Sequence, residues 1–330
     1  MDALIIESRR QKWLQDYNCS FYDYNTIPYE SRRHPMIAAI LFVCFSVFEL
    51  LYVPSLIVLL KKKNRCQPCY LLMLCLMLID MLALTITALF SGLMLLNGEV
   101  FCSSPKLFYA VGVYSEILWC GELFICMSLA VNRCLTIIWG KTASRLFGIT
   151  QTRWLILVIV TISLLCATFT PPILFNSIRA TFFFNPHESY FPDPDKKVGK
   201  INFSIEKASK KTATTLFFTY GGVAIYYVHR AQNLKKHKDF STFVQVLIIN
   251  CISVLGPLSF AIMQVVEYPA FIHLISTIFL SVVTKGSSSI VYLTLNRKIK
   301  NEILEFVSKD WLLSFVSKSG RSSTMQPPRN

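Results

Sequence analysis

The stretch at residues 106–140, KLFYAVGVYSEILWCGELFICMSLAVNRCLTIIWG, constrains the fold of this chain most strongly. It is too long and too apolar to be an ordinary buried helix of a soluble protein. At about 1.5 Å per residue, a helix from Lys106 to Arg133 spans roughly 40 Å, the thickness of a bilayer with its headgroups. A charge at membrane depth is costly, so Glu116 and Glu122 are expected to face a bundle interior rather than lipid. The stretch therefore predicts one helix of a membrane-spanning bundle.

Composition agrees with a membrane protein. Hydrophobic residues make up 53% of the chain and charged residues only 16%, with a mean hydropathy of +0.48, whereas a soluble domain averages about 25% charged residues. These values exclude a soluble enzyme. The net charge of +14 does not indicate nucleic acid as a partner, because excess Lys and Arg in a membrane protein normally lie in cytoplasmic loops and meet anionic lipid.

Seven apolar runs follow one another, at residues 36–60, 70–96, 107–139, 154–175, 212–228, 242–266 and 271–295. The fifth has 17 residues and contains Gly221 and Gly222, so it is at the low end for crossing a membrane. The pattern predicts an all-α membrane protein, with a seven-transmembrane helix bundle at 36–295 and an N-terminal tail at 1–35. Residues 296–330 are predicted to form a cytoplasmic amphipathic helix and a disordered tail.

Loop charge predicts the orientation of the bundle. With the N-terminus outside, the inner loops are rich in Lys and Arg, and the short outer loops at 97–105 and 267–270 contain none. The loop at 176–211 is the exception, with seven basic residues that four acidic residues partly offset. The glycosylation sequons at Asn18 and Asn202 then both lie outside. We therefore expect a multi-pass plasma-membrane protein with an extracellular N-terminus.

The eleven cysteines predict one disulfide. Seven lie in apolar runs, where a small core side chain is the simplest role. Cys66 and Cys69 lie on the inner side, where thiols stay reduced, and without a second pair we expect no metal site. Only Cys19 and Cys102 lie in the oxidising compartment. We predict that these two are bonded and that they tie the N-terminal tail to the top of the third helix.

A set of short motifs covers most of the chain. They are Tyr17-Asn18-Cys19, Tyr52-Val53-Pro54, Asp80, GEVFCSSP at 98–105, LAVNR at 129–133 and GSSSIVYLTLN at 286–296. In this order and spacing they resemble the motifs of nematode chemosensory receptors of the serpentine receptor class T family; residues 176–240 match poorly. The resemblance implies a rhodopsin-like seven-helix receptor that detects a chemical cue, couples to a heterotrimeric G protein and has sensory cilia as a candidate location.

In such a receptor, Asn132, Arg133 and Tyr292 would contribute to G-protein coupling. Asn132 stands where most rhodopsin-like receptors have an acid, and Ser288-Ser289 stand where Asn-Pro is usual. Arg133 would then lack an adjacent carboxylate, so we expect weaker restraint of the resting state and higher ligand-free signalling. The alternative is that Arg133 only reaches the inner headgroups as part of the positive-inside pattern.

Four charged residues lie at similar depth inside the predicted spans. They are Glu49, Asp80, Glu122 and Lys285, each roughly 15 Å from the cytoplasmic side by helix geometry. One cation among three carboxylates predicts a buried polar network in which Lys285 pairs with Asp80 or Glu122. Lys285 could thereby occupy the place of the sodium ion that the second-helix aspartate binds in many rhodopsin-like receptors. A purely structural polar cluster is the equal alternative.

Glu116 lies higher in the third span, on one face with Tyr109, Gly112 and Cys120 at helical spacing. In a seven-helix bundle, diffusible ligands bind at that depth. Glu116, Tyr109 and Cys120 are therefore candidate ligand contacts, and a glutamate there favours an amine or another hydrogen-bonding ligand. The predicted partners are an unidentified small molecule, a heterotrimeric G protein and the lipid bilayer.

A secondary transporter is the alternative function, because intramembrane carboxylates also form ion and proton relays. Transporters usually contain paired repeats with broken helices, and no such repeats are visible in this sequence. An enzyme is not expected, since the five histidines form no nucleophile–base or metal constellation, and we expect no cofactor. A channel subunit would need a pore-loop signature.

Overall fold

The computed structural model describes residues 17–20, 23–138, 140–184, 186–187, 189–190, 248–249, 251–252, 284–296 and 298–305. The first four predicted spans lie almost entirely within these residues. The fifth predicted span, most of the sixth and the first part of the seventh lie outside them. Asn202 and the tail after residue 305 also lie outside.

Four long helices account for the first four spans. Helix α1 is Pro35–Leu60, α2 runs through Pro68–Leu84, Thr85–Phe90 and Ser91–Asn97, α3 is Pro105–Ile138, and α4 is Ile149–Phe169. All four are long and apolar enough to cross a membrane. A further helix, Lys285–Leu295, forms the end of the seventh span. This architecture is consistent with a seven-transmembrane helix bundle.

Shorter elements connect and cover these helices. They are the helices Tyr29–Arg32, Lys62–Arg65 and Gly140–Leu146, the 3₁₀ turns Tyr24–Thr26 and Phe101–Ser103, and the strands β1 (Leu174–Asn176) and β2 (Thr181–Phe183). Residues 298–305 are also helical. This last segment begins where the Asn296 Oδ1 atom accepts a hydrogen bond of 3.0 Å from the Ile299 backbone N–H.

Proline and glycine determine several helix ends. Helices α1, α2 and α3 all begin at a proline, whose missing N–H costs nothing in the first turn. Gly98 ends α2 with a φ of 64°, a left-handed conformation that glycine adopts without a Cβ penalty. Helix α4 ends at Phe169, earlier than the predicted end at residue 175, because Pro171 and Pro172 disfavour helical backbone before them.

The central helices of the described part are α2 and α3. Helix α3 packs against both α2 and α4, and the Lys285–Leu295 helix packs against α1 and α2. About half of the apolar span of α2 or α3 is buried, at 56% and 50%, against 17% for α1 and α4. Large apolar side chains on α1 and α4, including Leu50 and Trp154, are exposed. These exposed faces are suited to contact with lipid.

A set of segments that we call the outer cap covers the N-terminal end of α3. It consists of residues 17–20, the Phe101–Ser103 turn and the β1–β2 hairpin. The strands pair antiparallel, with Leu174 opposite Phe183 and Asn176 opposite Thr181, and all six strand residues are buried. The sequence did not predict this hairpin, because three-residue strands are too short to give a readable alternating pattern.

Candidate functional site

Three charged side chains of helix α3 are buried, and they lie at three depths. The exposed fraction is 3% for Glu116, 4% for Glu122 and 8% for Arg133. Buried ionisable groups are costly unless neighbouring groups satisfy them. The partners of these three side chains therefore indicate what each level of the bundle can do.

At the outer level, the two carboxylate oxygens of Glu116 differ in their hydrogen bonding. Its Oε1 atom accepts a hydrogen bond from the Thr170 hydroxyl at 3.3 Å and lies 3.9 Å from the Cys120 thiol, which donates to it. Its Oε2 atom is buried and has no hydrogen-bond partner among the described residues. One oxygen is therefore held by α3 and the end of α4, and the other is available to a hydrogen-bond donor.

The outer cap closes over this level. A Cβ atom added at Gly112 would lie 2.8 Å from the Ile173 carbonyl oxygen, so only glycine allows the segment before β1 to approach α3 this closely. Tyr109 lies one turn further out and packs edge-on against Tyr17, with 5.4 Å between the ring centres. Of the predicted ligand contacts, Cys120 thus touches Glu116, and Tyr109 belongs to the contact with the cap.

Cys19 and Cys102 form a disulfide within the outer cap. The Tyr190 hydroxyl accepts a hydrogen bond of 3.2 Å from the Cys102 backbone N–H. His187 packs edge-on against Tyr190 and Phe101, and burial lowers the pKa of His187 to about 4. The sulphur atoms of the disulfide lie near the His187 ring. They are not thiolates, so they do not supply the ligands that a metal ion requires.

Asn18 of the first sequon lies beside this disulfide. Its side-chain oxygen accepts a hydrogen bond of 2.9 Å from the Ser20 backbone N–H, and the side chain is partly exposed. Glycosylation of Asn18 remains a prediction, as does glycosylation of Asn202.

At the middle level, Lys285 forms an ion pair with Glu122. Of the two partners that the sequence left open, the geometry therefore favours Glu122. The Tyr52 hydroxyl contacts both the Lys285 carbonyl oxygen, at 2.5 Å, and the Asp80 Oδ2 atom, at 3.3 Å. Asp80 is 1% exposed. These four residues form one connected cluster between α1, α2, α3 and the Lys285–Leu295 helix.

Two features of this cluster differ from expectation. Glu49 is not joined to it, since the buried Oε1 atom of Glu49 has no hydrogen-bond partner among the described residues. Tyr52 was not expected to take part. A tyrosine inside an apolar run is usually a core residue, and its hydroxyl is useful only if a polar group on another helix comes within reach. Sequence alone does not reveal such a contact.

At the inner level, Asn132 and Arg133 line a cleft of about 320 Å³. The cleft lies between the start of α2, the inner part of α3 and the Gly140–Leu146 helix. The Arg133 Nε atom is buried, and no described residue accepts a hydrogen bond from it. Tyr292, the third predicted coupling residue, does not line the cleft. It is fully buried in the apolar core of the inner half of the bundle.

The comparison with protein families gives a match over nearly the whole chain. The family model described as "Serpentine type 7TM GPCR chemoreceptor Srt" matches residues 4–312 of the chain. No curated protein matches the chain.

Proposed function

Because the chain belongs to the serpentine type 7TM GPCR chemoreceptor Srt family, and so is a multi-pass membrane receptor, we propose that it senses a small molecule and activates a heterotrimeric G protein. The single observation that supports this most is the family match across nearly the whole chain. The three levels of α3 provide a path along which a signal passes from the ligand to the G protein. A ligand binds near Glu116, the polar cluster around Lys285 lies below it, and the inner end of α3 contacts the G protein.

The ligand site that we propose is the outer half of the bundle beside Glu116. Its buried Oε2 atom has no hydrogen-bond partner among the described residues, and a buried acceptor in this state loses about 1–3 kcal/mol relative to a satisfied one. A ligand with an amine or a strong hydrogen-bond donor would recover that energy. Cys120 and Thr170 fix the carboxylate from one side, and Tyr109 lies at the edge of the cap.

The coupling site that we propose is the inner end of α3, with Arg133 and Asn132 in direct contact and Tyr292 supporting the core behind them. Asn132 provides no carboxylate to hold Arg133, and no described residue accepts a hydrogen bond from Arg133 Nε. This supports weaker restraint of the resting state and measurable ligand-free signalling. The corresponding topology is a plasma-membrane receptor with the outer cap and the N-terminus outside.

Guanine-nucleotide exchange on a panel of G proteins tests this proposal. Membranes that contain wild type are compared with Arg133→Ala and with Arg145→Ala, which removes an exposed charge from the neighbouring Gly140–Leu146 helix. We expect ligand-free exchange above background that Arg133→Ala abolishes and Arg145→Ala keeps. Flat traces for wild type on every G protein, with the receptor confirmed at the cell surface, would contradict coupling.

The ion pair between Lys285 and Glu122, next to Asp80, is the observation that favours the second candidate, a secondary transporter. Buried charges in membrane proteins also mark ion and proton pathways. Uptake of labelled amines into vesicles, measured with and without an ion gradient, separates the two functions. Gradient-driven accumulation that Glu122→Gln removes would favour a transporter. A receptor binds ligand without accumulating it.

A further inference from the structure

We propose that the cleft at the inner end of α2 and α3 binds the phosphate group of an anionic ligand, with Arg133 inside the cleft and Lys298 at its rim. The phosphate belongs either to a lipid headgroup of the inner leaflet or to a soluble phosphate compound. This site is distinct from the proposed site for the sensed molecule. Its occupant would lie at the proposed coupling surface and would affect the binding of the G protein there.

The first observation is the state of Arg133. This side chain is 8% exposed and lies against the cleft, yet no described residue accepts a hydrogen bond from it or forms an ion pair with it. Its Nε atom is among the buried atoms without a partner. Buried charged groups are almost always paired, so a guanidinium in this state indicates a partner that is not part of the described chain.

The second observation is the beginning of α2. Gln67, Pro68, Cys69 and Tyr70 line the cleft, and Gln67 caps the 17-residue Pro68–Leu84 segment without a side-chain hydrogen bond. The N-terminus of a helix carries a partial positive charge, which favours phosphate and other anions. Arg133 therefore meets the positive end of α2 across the same cleft.

The third observation is the charge around the cleft. The Lys298 ammonium lies 4.2 Å from the centre of the Tyr70 ring. Burial lowers the pKa of Lys298, and the nearby Lys63 and Arg133 lower it further, while Glu302 acts in the opposite direction. None of the described residues that line the cleft is acidic. Three cations, Lys63, Arg133 and Lys298, thus lie around the cleft with one carboxylate, Glu302, so the net charge of this group is positive.

These features fit phosphate better than a single carboxylate. A guanidinium binds phosphate oxygens through two parallel N–H bonds, and the Thr136 and Ser144 side chains also line the cleft. Basic pockets on the cytoplasmic side of membrane proteins bind phosphoinositide headgroups. A volume of about 320 Å³ can accept a phosphate with part of its inositol or alcohol group.

Binding to the purified full-length receptor in neutral phosphatidylcholine nanodiscs tests the proposal. The probe is fluorescent dioctanoyl phosphatidylinositol bisphosphate, and the competitors are inositol trisphosphate, which lacks acyl chains, and inorganic phosphate. We expect saturable binding of the probe. Competition by inositol trisphosphate would show that a headgroup alone is recognised, and probe binding without such competition would assign the site to a lipid. Absence of specific binding by any of the three compounds would overturn the proposal.

The variants locate the site. Arg133→Gln is expected to weaken probe binding about 10-fold or more, because it removes charge-assisted hydrogen bonds. Arg145→Gln removes one exposed charge from the adjacent helix and is the matched control, with an expected change below about 2-fold. Equal loss in both variants would indicate nonspecific attraction and contradict the site.

A second variant keeps the test decisive if Arg133→Gln does not fold. Ser144 lines the cleft from the Gly140–Leu146 helix, and Ser144→Glu places a carboxylate there while Arg133 remains. We expect it to compete with the anion and to weaken probe binding about as much. Unchanged binding in Ser144→Glu would contradict the site. The assay contains no G protein, so its failure leaves nucleotide exchange, and with it the receptor function, to be judged separately.

Discussion

Lys285 and Arg133 are two cations that the bundle removes largely from solvent, and it treats them in different ways. The Lys285 side chain is 14% exposed and is paired with Glu122, with Tyr52 and Asp80 close by. Arg133 is 8% exposed and has no such partner among the described residues. A buried charge with internal partners stabilises one arrangement of helices. A buried charge without them is available to something that binds, which supports the phosphate site that we propose for the inner cleft.

The largest expected effect tests this difference directly. Lys285→Gln leaves Glu122 buried without its cation, so we expect the free energy of unfolding to fall by about 3–5 kcal/mol. Arg133→Gln removes a buried charge that has no ion pair among the described residues, so we expect stability to stay the same or to rise. Thermal unfolding of the purified receptor and the amount at the cell surface measure both.

The double variant Lys285→Gln/Glu122→Gln is the control for this pair, because it removes both charges together. It should be more stable than Lys285→Gln alone. If Arg133→Gln proves as destabilising as Lys285→Gln, the distinction between a structural and an available cation is wrong.

The disulfide provides the next largest effect, at the opposite end of α3 from the cleft. Cys19→Ser opens a link between residues 83 positions apart, which we expect to lower the stability by about 2–4 kcal/mol. The serine variant keeps an Asn-x-Ser sequon at Asn18. Cys66→Ser, at a free and exposed cysteine, is the matched control and should change little.

Mass spectrometry of non-reduced peptides checks the linkage itself. The 17–20 segment should be recovered bonded to the peptide that contains Cys102. Recovery of either thiol in its free form from correctly folded receptor would contradict the disulfide between Cys19 and Cys102.

Sequence reasoning reached the fold and part of the site. Hydropathy and loop charge predict the spans, because the bilayer permits few structures. They also place Glu116, Glu122 and Arg133 at three depths of one helix. The partners of these residues come from other helices: Thr170 follows α4, and Tyr52 lies on α1. Which side chains meet depends on helix rotation and packing, and a single sequence does not encode those in a local pattern. The unpartnered state of Arg133 was foreseeable in part, from Asn132 in place of an acid.

Acid offers a smaller perturbation, at His187, which packs against the outer cap. Burial lowers the pKa of His187 to about 4, below the value of about 6.5 expected in the unfolded chain. Well above pH 6.5, His187 is neutral in both states and its contribution to stability is complete. As the pH falls from 6.5 towards 4, the unfolded chain binds a proton that the folded cap does not, so stability is lost. The expected loss is about 2 kcal/mol between pH 7.5 and pH 5.

Melting curves at pH 7.5 and pH 5 measure this contribution. His187→Phe keeps a ring between Phe101 and Tyr190 and cannot titrate, so it should lose less stability on acidification than wild type. An identical acid response in His187→Phe and wild type would show that another group is responsible.

The smallest expected effect on stability concerns a charge beside the cleft that does have partners. Glu302 accepts from Lys61 at 3.1 Å and from the Asn64 amide at 3.3 Å, and the Lys61 side chain is 44% exposed. Because solvent screens this pair, Glu302→Gln should lower stability by about 1 kcal/mol or less.

The same change, Glu302→Gln, removes the negative charge that offsets Lys298, so we expect phosphate to bind the inner cleft about 2- to 3-fold more tightly. Glu305→Gln makes the same charge change one turn further along the helix at 298–305 and should have a weaker effect. Tighter binding at little loss of stability would separate the positive field of the cleft from the packing around it, whereas weaker binding in Glu302→Gln would mean that the carboxylate itself helps to shape the site.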